Sequence, residues 1–176
     1  SSNVNEVERS FKLHCCSKLR DFVFKYEDLL GKEIWDVLDE EIQQDPGAFL
    51  SAINSYASRK GNLPIYLLID EYDNFTNTIL ATYGTEFYRT TTHGEGFIRG
   101  FFNVIKAAAT GNGSALQRMF ITGVSPVTMD DVTSGFNIGT NITIDTLFNS
   151  LVGFNEKELR EMLVYYKLHE VFKLSV

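Results

Sequence analysis

The sequence predicts a three-layer α/β fold with parallel strands, incomplete in that only two core strands are present, and three observations carry the prediction. Two apolar runs, Leu63–Ile69 and Met119–Val124, lack alternation, and the first is rich in branched residues, as in strands buried on both faces of a parallel sheet. Between them Phe97, Ile98, Phe101, Phe102, Ile105 and Ala108 mark a strongly apolar helix, so strand, helix and strand form a right-handed crossover with both strands parallel. The 176 residues, 44% of them hydrophobic, can close one core and are too few for two comfortable domains.

The elements follow in chain order. Val4, Val7, Phe11, Cys15, Leu19, Phe22, Tyr26 and Leu29 recur at steps of three and four, one stripe of a long amphipathic helix that Gly31 ends. A shorter helix spans Ile34, Trp35, Leu38 and Ile42. Asp45-Pro46 then places a cap residue before a proline at the first helical position, where its missing N–H costs nothing, and opens a third helix. That helix carries Phe49, Leu50, Ile53, Tyr56 and Ala57 on one side, and Gly61 stands where a left-handed stop is expected. After the first strand, Asp70 to Gly96 reads as a long polar segment. Thr110-Gly-Asn-Gly-Ser114 breaks the apolar helix before the second strand. Beyond Pro126 the chain is rich in Gly, Asn and Thr through Thr143, a loop long enough to suggest function. Asn155 and Glu158 form a capping-box pair opening a last helix with Leu159, Met162, Leu163 and Tyr166 inward.

Sixteen Lys and Arg against 23 Asp and Glu give a net charge of −7, so the surface should repel phosphate backbones, and nucleic acid is not the expected partner. Cys15 and Cys16 are adjacent and too strained to pair, and no second ligand pair accompanies His14, so they read as structural thiols. No run reaches about 18 apolar residues and the amino end is polar, so neither a membrane span nor a signal peptide is expected, and the setting is read as cytoplasmic.

The chemistry concentrates where Ile65-Tyr66-Leu67-Leu68-Ile69 delivers Asp70 and Glu71 at its carboxyl end, the edge at which open α/β sheets bind ligands. One such carboxylate, Asp70, suits Mg2+, an ion that wants oxygen ligands and keeps much of its water. Glu71, one residue on, points elsewhere and can polarise an attacking water. Without a metal the adjacent pair should be electrostatically costly. The competing reading is an acidic strand end that caps the turn with Tyr72, Asp73 and Asn74. The second run brings Thr122 and Ser125 to the same edge, where hydroxyls can bond a γ-phosphate or the water; Ser125-Pro126 also serves simply to turn the chain. Arg99, after Gly94-Glu95-Gly96, is a candidate phosphate contact, although an arginine there more often extends to solvent. His93 reads as a cap of the helix that follows.

Three stretches, LPIYLLIDEYDNF, THGEGFIRGFFNVIKAA and RMFITGVSPVTMDDVTSGFNIGTNIT, closely resemble the predicted AAA-ATPase family common in bacteria, whose full-length members often end in a nuclease-like domain. The resemblance covers most of the chain and implies a P-loop NTPase fold, ATP and Mg2+ as ligands, Asp70 and Glu71 at the Walker B position, and Thr122 to Ser125 on the sensor strand. It implies a partial core over residues 1–143 and the start of a helical lid over 144–176, opened by GFNEKELREML. The family's Gly-Lys-Ser phosphate loop is absent from these residues; Gly31-Lys32 is followed by Glu33 and reads as a helix junction. The chain is therefore expected to be a fragment with poor nucleotide affinity of its own, self-associating through exposed sheet edges. The alternative to ATP hydrolysis by the intact protein is a non-catalytic module presenting residues 70–96 and 135–143 to a protein or nucleic acid; a metal-dependent nuclease lacks the further carboxylate and lysine it needs.

Overall fold

A computed structural model describes residues 2–61, 63–94, 96–124, 139–151 and 153–166. The chain divides into two compact units, Ser1–Ile138 and Gly139–Val176.

In the first unit the long amino-terminal helix is α1, Ser2–Lys25, followed after Tyr26 by a single turn, α2, Glu27–Leu30. Tyr26 leaves helical geometry at φ −111° and ψ 20°, and this break re-registers the stripe: Leu30 is buried while Leu29 is exposed. Within α1 the deepest side chains are Cys16 and Val23, with Leu19 and Phe22 packed beside them. Gly31 ends the segment at φ 83°, a conformation that favours glycine. The second predicted helix is two pieces, α3 (Ile34–Val37) and a 3-10 turn at Ile42–Gln44. Helix α4, Pro46–Gly61, begins as the Asp45-Pro46 signal predicts, the Asp45 Oδ1 accepting the Ala48 N–H at 2.9 Å. Its buried side, Phe49, Leu50, Ile53 and Ala57, forms the centre of the core.

Strand β1 is Ile65–Ile69 and strand β2 is Leu116–Ile121, and they pair in parallel with Leu67 opposite Met119 and Ile69 opposite Ile121. The parallel crossover is as predicted. The second strand starts three residues earlier than expected because Gln117 and Arg118 interrupt its apolar run while Ala115 and Leu116 are buried. Burial on both faces is not found. Ile65, Leu67, Ile69, Met119 and Ile121 pack on the helical core, whereas on the other face Tyr66 and Leu68 are 62% and 75% exposed and Phe120 is exposed too. Among the described residues the unit therefore has helices on one side of a two-stranded sheet, not three layers.

The predicted polar segment is largely a helix, α5, Asn74–Thr92, with a non-helical residue inside it at Gly84. Its buried positions include Thr76, Thr91 and Thr92 as well as Ile79 and Tyr88, so the apolar period is masked. Those hydroxyls stay satisfied inside the helix: Thr76 donates to the Asp73 carbonyl at 2.8 Å and Thr92 to that of Tyr88 at 2.8 Å. Helix α6, Phe97–Thr110, buries Ile98, Phe102 and Ile105. Phe11 of α1 joins α5 and α6, its ring centroid 5.3 Å from that of Phe75 and 5.4 Å from that of Phe97.

The second unit contains a 3-10 turn, Thr146–Phe148, and α7, Glu156–Tyr165. The capping box is present, Asn155 Oδ1 accepting the Glu158 N–H at 3.0 Å and Glu158 Oε2 accepting the Asn155 N–H at 2.9 Å. The expected inward face is not buried: Met162 and Tyr166 are exposed, and Leu159 and Leu163 are only half covered. The Gly-rich segment through residue 138 lies outside the described residues.

Candidate functional site

Where β1 and β2 end, the chain makes a tight set of cross-strand bonds. The pairing extends one step past both strands, Thr122 N–H donating to the Ile69 carbonyl at 2.9 Å and Tyr72 N–H donating to the Thr122 carbonyl at 3.0 Å. This brings the Thr122 hydroxyl to the edge where Asp70 and Glu71 lie: it donates to Asp70 Oδ1 and accepts from the Glu71 N–H at 3.3 Å. Asp70 and Glu71 both lie open to solvent. In water two neighbouring carboxylates repel weakly, so the pair does not demand a metal, contrary to the expectation of a costly juxtaposition.

Glu71 has φ 51°, and it is the only non-glycine residue with positive φ among those described. Left-handed geometry costs an ordinary residue about 1–2 kcal/mol. The turn that imposes it is held by Asn74, whose N–H donates to the Glu71 carbonyl at 2.9 Å and whose side-chain Nδ2 donates to Glu71 Oε2 at 3.1 Å. The left-handed backbone at Glu71 breaks the extended run that ends at Asp70. The two consecutive carboxylates have different partners on one open edge, Asp70 the Thr122 hydroxyl and Glu71 the Asn74 amide.

The residue that sequence reasoning passed over is Asp73, only 1% exposed. It was read as part of a capping turn. It does stand at the N-cap of α5, yet its side chain makes no cap hydrogen bond there. Both carboxylate oxygens instead lie 3.1 Å from the Val124 N–H, and Oδ2 also accepts from Asn77 Nδ2 at 3.2 Å. Nothing local separates an aspartate that caps from one that reaches across a sheet; the one available signal was Gly123, since a glycine inside a strand-like run often marks close approach. A Cβ on Gly123 would stand 2.2 Å from Cε1 of Tyr72.

The remaining predicted site residues are more scattered. Ser125 lies outside the described residues. Arg99 is the third residue of α6, half-buried, and pairs with neither Asp70 nor Glu71. His93 follows α5 as its C-cap, its Nδ1 2.9 Å from the Thr92 hydroxyl; α6 is capped by Gly96 without a side-chain bond, so His93 is not the cap expected there. The cysteines are not a reactive pair: burial, with the neighbouring Cys16, pushes the Cys15 thiol up to about 12, and burial raises that of Cys16.

Among the described residues the open edge offers oxygen atoms from the Asp70 carboxylate, the Thr122 hydroxyl and the Glu71 carboxylate. That donor set fits Mg2+, which is held by one or two carboxylates together with water and substrate phosphates. No helix among the described residues is long and apolar enough to cross a membrane.

A family profile described as AAA-ATPase_like, predicted AAA-ATPase, matches residues 1–133. No curated protein and no solved structure matches the chain.

Proposed function

The chain belongs to the predicted AAA-ATPase family, and from that premise we propose that it carries the acidic half of an ATP-binding and ATP-hydrolysing site in the intact protein. The observation that bears the reading is the edge where Asp70 and Glu71 leave β1 into solvent while Thr122, from the neighbouring parallel strand, donates to Asp70. Asp70 would hold Mg2+, which when bound neutralises charge on the phosphates. Glu71 accepts a proton from the attacking water, a role that needs a carboxylate reached by solvent, as Glu71 is. The Thr122 hydroxyl fixes the orientation of Asp70; Ser125 as a second hydroxyl and Arg99 as a positive charge for the phosphates are proposed from the sequence pattern alone.

Glu71→Gln in the intact protein should leave nucleotide binding in place and reduce turnover by at least about 100-fold, the usual range for a general base. Binding by equilibrium titration and phosphate release by a coupled assay separate the two. Turnover that survives the substitution would remove Glu71 from the chemistry.

A second proposal concerns assembly. Tyr66, Leu68 and Phe120 give the sheet an open apolar face, and β1 has a single strand neighbour among the described residues. Such a surface favours pairing with another copy. Light scattering at micromolar concentration should show a mass above that of one chain, and a monomer would count against it.

A further inference from the structure

We propose that Asp73 is a positioning residue for the hydrolytic site, a buried carboxylate that clamps the exit of β2 and so keeps the Thr122 hydroxyl on Asp70. This rests on the ATPase reading for its catalytic consequence, but the clamp itself is independent of it.

Burying a carboxylate is costly unless its oxygens are well bonded, and Asp73 is the one acidic or basic side chain found buried among the described residues. Its position makes the choice of partner informative. An aspartate at an N-cap ordinarily turns back onto the first N–H groups of its own helix. Asp73 forgoes that bond and aims both oxygens at the Val124 N–H, 51 residues away in the chain. Asn77, one turn into α5, donates to Oδ2 and holds the carboxylate in this orientation.

The clamp closes over three consecutive residues. The Ile69 carbonyl accepts from the Thr122 N–H, the Tyr72 N–H donates to the Thr122 carbonyl, and Asp73 accepts from the Val124 N–H. Between them Gly123 lies against the Tyr72 ring with no room for a side chain. Thr122, fixed on both sides, has its hydroxyl set between Asp70 Oδ1 and the Glu71 N–H. The side-chain bonds of Asp73 among the described residues go to the Val124 N–H and the Asn77 amide, not to Asp70, Glu71 or the Thr122 hydroxyl. Its effect passes through the backbone of residues 122–124.

The test compares Asp73→Ala with Asp73→Asn in the intact protein, beside the unmodified protein as the control for the ATPase reading and Glu71→Gln as the control for the general base. Asparagine keeps an acceptor for the Val124 N–H, and the Asn77 amide can rotate to meet its new NH2 group. Alanine keeps neither bond. Asp73→Ala should lower kcat by about 100-fold, the scale of a misplacement near 1 Å, with nucleotide KM little changed, and Asp73→Asn should restore most of kcat. Amide hydrogen exchange supplies a readout free of activity: Val124 should lose at least about tenfold in protection in the alanine variant, while Leu116 at the far end of β2 should not. Loss of activity in the asparagine variant with a raised Mg2+ requirement would make Asp73 a metal ligand and overturn the proposal. Unchanged Val124 protection in Asp73→Ala would overturn it as well. If the unmodified intact protein shows no ATP turnover while Val124 protection falls in Asp73→Ala, the clamp stands and the ATPase reading fails; turnover retained in Glu71→Gln removes only Glu71 from the chemistry. Should the alanine variant not fold, Asn77→Ala, which releases one carboxylate oxygen, is expected to show the same exchange pattern in weaker form, and normal protection in it would overturn the proposal.

Discussion

At the amino end of the β1–β2 pair, Asn54 of α4 accepts the Leu116 N–H at 2.8 Å and the Ser114 hydroxyl at 3.0 Å; at the carboxyl end, Asp73 before α5 accepts the Val124 N–H at 3.1 Å. Both ends of β2 are thus held by a side-chain oxygen from a helical neighbour. The acceptors differ in kind. At the first end a half-buried neutral amide suffices, and Leu116 has a second partner in the Ser114 hydroxyl at 3.0 Å. At the second end a fully buried acidic side chain is used, beside two exposed carboxylates, one of them on a residue in left-handed geometry. The fold alone requires that strand ends be tied, and Asn54 does this cheaply. A costlier arrangement at one end only is the pattern expected where local stability is given up for chemistry.

The glycines repeat the contrast. Gly113, near the amino end, adopts φ 73° with open space where a Cβ would be, so it is required for backbone shape. Gly123, at the carboxyl end, is required for proximity, with Tyr72 Cε1 at 2.2 Å and Asp73 Oδ1 at 2.8 Å from a built Cβ. Gly123→Ala should have the largest effect on stability, about 1–3 kcal/mol by overpacking, because ring and carboxylate must both shift. It should also reduce turnover in the intact protein, since the shift frees Thr122. Urea denaturation and phosphate release report the two effects, and an alanine tolerated without loss of either would show that the clamp has slack.

Asn54→Ala is the matching disturbance at the other end. It removes two accepted hydrogen bonds, but the Leu116 N–H retains the Ser114 oxygen, so the cost should be about 1 kcal/mol. Turnover per folded molecule should not change. A fall in kcat comparable to that of Gly123→Ala would mean that the two ends are coupled through β2 and that their difference in role is only apparent.

This asymmetry also decided what could be read from the sequence. Periodicity and caps operate within a few residues, and they located α1, α4, α6 and the Asn155–Glu158 box, together with the parallel order of the two strands. The Asp70-Glu71 pair was legible for the same reason, as an apolar run ending in charge. Helix α5 was hidden because threonines occupy core positions there and bond their hydroxyls to their own helix. The open face was hidden because Tyr66, Leu68 and Phe120 are apolar whether covered or not, so composition alone implied burial. Asp73 was hidden because its partner is a backbone N–H 51 residues away, and no residue type announces a backbone group. Locally, the Tyr-Asp-Asn string looks like any capping turn.

The smallest predicted effect concerns Glu71, where strain can be separated from chemistry. Glu71→Gly and Glu71→Ala both remove the carboxylate and its bond from Asn74 Nδ2, so they should be equally inactive. They differ at the backbone, because glycine accepts φ 51° without penalty while alanine keeps a Cβ against the carbonyl. The left-handed preference favours glycine by about 1–2 kcal/mol, and its greater freedom in the unfolded chain returns up to about 1 kcal/mol of that. Glu71→Gly should therefore be the more stable variant by up to about 1 kcal/mol, measured by the midpoint of urea unfolding. Alanine ahead by about 0.5–1 kcal/mol, the margin that glycine's freedom in the unfolded chain gives by itself, would mean that the turn after β1 stores no strain. The carboxyl end would then be distinguished from the Asn54 end by its charges alone.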